Sequence, residues 1–188
     1  MERPPAPDDH RAYVEQLFRA QAGFVASFLA RLGVAQADLD DAVQEVFTVA
    51  YRKGAFHPDR ATARSWLGAI AARVASGLRR RAHFRRERLE AEPAATVASD
   101  VTSALSRLEL RESLDRVARA LDSLDLPLRT VFVLFELEGE DCSAIAGALE
   151  LPVGTVYSRL HTARKRFTAA HQALLDTHPL PIQAGELP

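Results

Sequence analysis

Hydrophobic residues along this chain recur at spacings of three and four, the signature of helices with one buried face. Tyr13, Leu17, Phe18, Phe24, Val25, Phe28, Leu29 and Leu32 carry the pattern first, over one or two helices. Gly33 follows and can end them in a left-handed conformation. Val43, Val46, Phe47 and Ala50 predict a helix over 38–53. Asp38, Asp40 and Asp41 crowd its start, where the helix dipole favours negative charge, and Gly54 ends it. After the turn GAFHPDRAT, Thr62 is placed to cap a long helix bearing Trp66, Leu67, Ile70, Ala71, Val74 and Leu78. That helix runs on into a series of arginines.

The pattern fades in AEPAATVASDVTS (91–103), which is small and polar with little to bury, and reads as a flexible linker. It returns with Leu105, Leu108, Leu114, Val117 and Leu121. Pro127 opens a further helix carrying Val131, Phe132, Leu134, Phe135 and Leu137, closed by Gly139. Asp141 can cap a short helix through Leu149, Glu150–Leu151 make a turn, and a last helix starts at Pro152. No stretch alternates with the period of a strand. The expected fold is all-α: two small helical domains joined by a flexible linker. The expected boundaries are a disordered N-terminus (1–9), a first domain (10–90), a linker (91–104), a second domain (105–175) and a short tail (176–188).

Hydrophobic residues make up 47% of the 188, enough for a core, and the net charge of −1 gives no overall attraction to nucleic acid. The distribution of charge changes that picture. Between Arg73 and Glu90 stand seven arginines (73, 79, 80, 81, 85, 86, 88) against two glutamates, whereas Glu109 to Glu150 holds ten acidic residues against four arginines. Such blocks point to separate faces for separate partners. The single cysteine, Cys142, excludes an internal disulfide and a multi-cysteine zinc site. The six histidines are scattered and no glycine-rich phosphate loop occurs, so neither catalytic residues, nor a metal site, nor a cofactor is expected. Cys142 stands near a predicted helix start, a place that can lower a thiol pKa, but is read foremost as a small packing residue. No apolar run approaches the ~20 residues of a membrane span, and MERPPAPDDH lacks the apolar core of a signal peptide; a cytoplasmic protein without membrane insertion is expected.

The segment LPVGTVYSRLHTARKRF (151–167) reads as a helix that enters DNA. Val156, Leu160, Ala163 and Phe167 form its buried stripe, and Gly154, Thr155 and Ser158 are small enough for close approach of a phosphate backbone. No acidic residue lies between Glu150 and Asp176 to repel one. With the short helix before it, it makes a helix-turn-helix.

Two segments, in order, resemble the extracytoplasmic-function (ECF) sigma factors of bacterial RNA polymerase. DDAVQEVFTVAYRK (40–53), followed by ARSWLGAIAARVA (63–75) and the arginine-rich helix end, is similar to the family's region 2. ALDSLDLPLRTVFVLFELEG (120–139), followed by IAGALELPVGTVYSRLHTARKRF (145–167), is similar to region 4. The resemblance implies a subunit that binds core RNA polymerase, recognises promoter DNA and helps to open it.

Asp41, Gln44 and Glu45, with Arg52 nearby, match positions that dock on the clamp coiled coil of the β′ subunit. Arg60, Thr62 and Arg64 fall where relatives hold a flipped base of the −10 element. Arg73, Arg79 and Arg80 would meet the strand being opened, with Arg81, Arg85 and Arg86 as weaker candidates. Phe56 and Trp66 are the nearest aromatics and are read as core. Tyr157, Ser158, Arg159, His161, Thr162 and Lys165 match contacts to the −35 element. Val131, Phe132, Leu134 and Phe135 are read as the core of the second domain, of which an exposed subset would bind the β flap as in the family, and an anti-sigma factor is an expected partner.

The chain departs from its relatives at several places. Arg73 stands where they often carry Asn, and Gly77 where they carry Asp or Asn. Positions 157 and 162, often basic in relatives, are neutral here, and Glu150 replaces a common turn glycine. A stand-alone helix-turn-helix regulator would explain 151–167 but leave 40–81 without a task. A purely protein-binding adaptor would not need Arg159 or Lys165.

Overall fold

The computed structural model describes residues 7–53, 61–86 and 104–177. Among them all regular structure is helical: α1 (Pro7–Arg31), α2 (Leu39–Lys53), α3 (Ala63–Arg86), α4 (Ala104–Asp122), α5 (Leu126–Phe132), α6 (Cys142–Leu149) and α7 (Val153–Thr177). A 3₁₀ turn at Gln36–Asp38 leads into α2, and a π-turn at Val133–Leu137 extends α5. Residues 91–103 of the expected linker lie outside the described residues, and Ala104 already belongs to α4. At the other end α1 starts at Pro7, inside the stretch expected to be disordered. Its sequence explains this: proline suits the first turn, and Asp8 and Asp9 suit the positive end of the helix dipole.

The first bundle is α1, α2 and α3. Val25, Phe28 and Leu29 of α1, with Leu32 just after it, meet Ala42, Val46 and Ala50 of α2 and Leu67, Ile70, Ala71 and Ala75 of α3, all essentially inaccessible to water. Gly33 ends α1 with φ +83°, the left-handed conformation its position called for. Phe18, read as part of the buried stripe, lies 43% exposed at the rim of this core, edge-on to Phe47 with ring centroids 4.8 Å apart.

The second bundle is α4 to α7. Asp125 caps α5 by accepting the Leu128 N–H at 3.0 Å. Val131 and Phe132 of α5 pack on Val156, Leu160 and Ala163 of α7, and Phe132 lies 4.7 Å from Phe167. Leu114 departs from its expected inward place and is 60% exposed. The inward row of α4 is Arg116, Val117, Ala120 and Leu121, and Leu114 falls off it; the Arg116 head turns to Ser113 (3.0 Å) and Glu112 (4.0 Å).

The two bundles do not stand apart. One continuous hydrophobic core runs through both, with α3 at its centre, packed on α1 and α2 from one side and on α5 and α6 from the other. Leu134, read as part of the second domain's core, is buried there and also seats on α3 at Gly68, where a Cβ would stand 2.7 Å from its Cδ2. The π-turn sets this up. The Glu138 N–H reaches back five residues to the Val133 carbonyl (3.1 Å) and the Glu140 N–H to that of Leu134 (3.0 Å). The extra residue rotates the segment after it relative to α5 and aims it at α3.

Gly77, by contrast, sits inside α3 with ordinary φ, and a Cβ there would meet nothing nearer than 4.0 Å, at the Arg81 guanidinium. Gly77→Ala is expected to stabilise the fold by about 1 kcal/mol, the cost of glycine in a helix interior. Urea unfolding followed by circular dichroism measures it; no gain in midpoint would contradict this account of the α3 backbone.

Candidate nucleic-acid interface

The helix-turn-helix is built by local chemistry. The Asp141 carboxylate accepts the N–H groups of Ser143 and Ala144, both at 2.8 Å, and so starts α6. Glu150 then takes φ +57°, ψ +43°, the only non-glycine residue among those described with positive φ. This is the departure that the missing turn glycine foretold, and it costs about 1–2 kcal/mol relative to glycine. The Leu151 N–H closes the turn on the Ala146 carbonyl at 3.0 Å. Pro152 lies just before α7 rather than in its first position, and its carbonyl accepts the Thr155 N–H at 2.8 Å.

Val156, Leu160 and Ala163 hold α7 to the bundle. The opposite face presents Tyr157 (59% exposed), Ser158, His161 and Lys165, with Arg159 and Thr162 half-buried at its edges. The Thr162 hydroxyl donates to the Ser158 carbonyl at 3.0 Å, which commits it to its own helix. Two further cations of α7 are turned back onto the bundle. Arg164 lies over Phe135 (5.2 Å) and pairs with Glu136 at 2.5 Å, and Arg166 pairs with Asp125 at 3.4 Å. Arg159 and Lys165 have no carboxylate partner among the described residues, so their charge is available.

On the first bundle, Asp41, Gln44, Glu45 and Arg52 share the exposed face of α2. Gln44 lines a groove of ≈480 Å³ between α1 and α2, floored by Phe18, Phe47 and Tyr51. Glu45 is tied to Arg81 of α3 at 3.3 Å. Thr62 caps α3, accepting the Ser65 N–H at 3.0 Å. Arg64 lies 5.3 Å over the Phe24 ring and 3.8 Å from Glu138, and Arg73 is 3.7 Å from Glu150. Arg79 and Arg80 are exposed. Arg60, Phe56 and the side chains of Arg85 and Arg86 lie outside the described residues. Trp66 packs half-buried against Ala61, Ala69 and Ala148, as a core aromatic.

Thr62 and Arg73 lie toward one side of α3, and Arg64, nine residues from Arg73 and so about half a turn round the helix, lies toward the other. Arg159 reaches the Arg73 side: it lines a ≈220 Å³ cleft together with Arg73, Ala69 and Thr130. Three residues that sequence reasoning did not single out complete the arrangement. Arg129, 2% exposed, donates from Nε to the Arg31 carbonyl at the end of α1 and holds Asp122 at 2.6 Å. Its burial pushes the guanidinium pKa down, and Asp122 pulls it back up. Glu138 pairs with Arg31, and Glu140 accepts hydrogen bonds from the hydroxyls of Ser65 (2.6 Å) and Thr62. Their only signal in the sequence was membership of the acidic block facing a basic one.

The apolar residues read as core of the second domain are mostly inside, which leaves little of them exposed for the β flap. Val131, Phe132 and Leu134 are buried and Phe135 is half-buried, because the π-turn directs this segment to α3 and α7. No helix among the described residues is long and apolar enough to cross a membrane.

Comparison with known proteins decides the family. Residues 17–85 match the family description Sigma-70 region 2, and residues 114–167 match Sigma-70, region 4. The chain is 34% identical over 162 residues to the ECF RNA polymerase sigma-E factor of Escherichia coli K12, covering 80% of this chain and 82% of the relative. It is 33% identical over 147 residues to the RNA polymerase sigma factor CnrH of Cupriavidus metallidurans, covering 73% and 75%. This chain belongs to the ECF sigma factors. Its fold agrees with the solved structure of CnrH in complex with the cytosolic domain of CnrY (TM-score 0.61, 28% identity, 87% of this chain and 90% of that one). It also agrees in fold with the sigma factor RpoE in complex with the anti-sigma factor NepR from Bartonella quintana (TM-score 0.62, 20% identity, 87% and 97% covered). As a member of this family, the chain is an alternative sigma factor that directs transcription initiation, with RNA polymerase and promoter DNA as its partners.

Cys142 is a packing residue of this sigma factor. It is 4% exposed, and burial, reinforced by Asp141, pushes its thiol pKa up, while Arg164 and Tyr157 offset part of the rise. The helix start therefore does not activate it. Iodoacetamide at pH 8 is expected to alkylate the native chain at least tenfold more slowly than the urea-unfolded chain, since only the thiolate reacts. Equal rates, followed by intact mass, would contradict this.

Proposed function

We propose that the outward face of α7 reads the −35 element through Tyr157, Ser158, Arg159, His161 and Lys165. The observation that carries this reading is the pair of unneutralised cations, Arg159 and Lys165, on a helix face with no acidic residue between Glu150 and Asp176. Lys165 serves as a phosphate contact, and Arg159, held at the base of the face by partial burial, as a base-edge reader. Thr162, with its hydroxyl turned inward, contributes its methyl group rather than a polar contact. Neutral residues at 157 and 162 give a weaker electrostatic hold than relatives have, and hence a binding energy less sensitive to salt.

Core docking and the −10 element fall to the first bundle. The α2 face of Asp41, Gln44, Glu45 and Arg52 docks on the β′ clamp coiled coil, with the Phe18–Phe47–Tyr51 groove beside it. Arg60, Thr62 and Arg64, at the start of α3, take the flipped base of the −10 element; Arg73, Arg79 and Arg80 follow the separated strand along the helix. Leu137, 43% exposed at the end of the π-turn, is the apolar residue available to the β flap. The chain supplies recognition and the polymerase supplies the chemistry, in the cytoplasm. Like CnrH with CnrY and RpoE with NepR, it is held by an anti-sigma factor.

Arg159→Ala and Lys165→Ala test the central assignment. Run-off transcription should fall about tenfold or more for Arg159→Ala, in line with the ~1–3 kcal/mol of a base contact. The salt dependence of promoter binding by the holoenzyme should lose about 0.9 in slope for Lys165→Ala. A gel shift is expected to show specific promoter binding with core polymerase and weak duplex binding by the chain alone. Undiminished transcription from both variants would remove the α7 assignment. Tight specific binding without polymerase would favour a stand-alone regulator.

A further inference from the structure

Two apolar side chains stand in the open at the start of the helix proposed to enter DNA. Val153 is 43% exposed and Tyr157 59%, and they lie four residues apart, so they share one flank of the first turns of α7. Beside them the space is open: a Cβ at Gly154 would meet nothing within 4 Å.

The polar groups of this flank are already committed. The Tyr157 hydroxyl donates to the sulfur of Cys142, which is buried at the start of α6. That turns the hydroxyl end toward the bundle and leaves the ring as the outer surface. Arg164, two turns beyond Tyr157 on the same flank, is folded back over Phe135 and paired with Glu136. These residues therefore offer DNA neither a free cation nor a free hydroxyl, only hydrocarbon. The major groove has one apolar group to match it. Among the base pairs, only those with thymine present a methyl group there, on C5. A recognition helix brings its N-terminal residues to base edges, and Val153 and Tyr157 occupy that end of α7.

We propose, on the premise that α7 reads the −35 element, that Val153 and the ring of Tyr157 select a thymine within it by covering its C5 methyl group. Arg159 and Lys165 supply the hydrogen bonds and charge; the Val153–Tyr157 flank supplies an apolar contact that recognises an A·T pair in one orientation. Tyr157 thus acts through its ring and not through its hydroxyl.

The test uses holoenzyme assembled from core polymerase and the full chain, with duplexes randomised across the −35 region. Sequencing of the bound fraction should show at least one A·T pair fixed in one orientation. Fragments of the selected sequence then carry deoxyuridine for thymidine, one position at a time, which removes a methyl group and keeps every hydrogen-bonding atom. At one position the parent should bind the deoxyuridine fragment about fourfold more weakly, the worth of one buried methyl group. Val153→Ala and Tyr157→Ala should bind the two fragments alike, whereas Tyr157→Phe, which keeps the ring, should keep the discrimination. Circular dichroism checks that each variant is folded. A selected sequence without an A·T pair, deoxyuridine tolerated at every position, or discrimination undiminished in both alanine variants would overturn the methyl contact. Loss of core polymerase binding in place of base discrimination would overturn it as well, by assigning the flank to a protein. A fragment with a scrambled −35 region keeps the two readings apart. If it binds as tightly as the selected one, the α7 assignment itself is wrong; if it binds more weakly while deoxyuridine has no effect, only the methyl contact is.

Discussion

The contact of Leu134 with Gly68 is the point on which this structure turns. Periodic helices can pack as independent bundles, but here Leu134 is wholly buried against a place on α3 that carries no side chain, Gly68. Full burial of a leucine is worth about 1.5–3 kcal/mol. That makes α3 a shared wall: Leu67, Ile70, Ala71 and Ala75 face α1 and α2, and the Gly68–Ala69 side faces α5 and α6. The helix that carries the arginine run is the same helix that keeps the two sigma regions together.

The electrostatics derive from that packing. Arg129 is buried because it lies under the junction, and it is tolerated there because the last carbonyls of α1 lack helical partners and Asp122 balances its charge. Glu138 and Glu140 reach α1 and α3 because the π-turn has rotated them there. Surface pairs such as Glu45 with Arg81, or Arg73 with Glu150, contribute at most about 1 kcal/mol each and serve mainly to set orientation.

Much of this was legible in the residues. The caps at Thr62 and Asp141, the left-handed Gly33 and Glu150, and the buried stripe of α7 all arise from local chemistry, which needs no partner to specify it. So did the helix-turn-helix and the order of the two regions. Leu114 and Phe18 were misplaced for one reason: a three-and-four spacing marks an apolar face but not how far a neighbour covers it. The seat of Leu134 on Gly68 was not legible because nothing in a 3.6-residue period announces a π-turn, and Gly68 looked like any small residue in an alanine-rich helix. Glu138, Glu140 and Arg129 were hidden as members of a charge block. Block composition signals attraction between faces without saying that both faces belong to the same chain.

Small-angle X-ray scattering of the free chain tests this account most directly, because it asks whether the two regions share one core. A single packed body of this length has a radius of gyration of about 16 Å and a distance distribution with one maximum, broadened only by the terminal segments. The shared wall at α3 predicts that result. Two maxima and a radius well above that value, the profile of tethered but separate bundles, would contradict it.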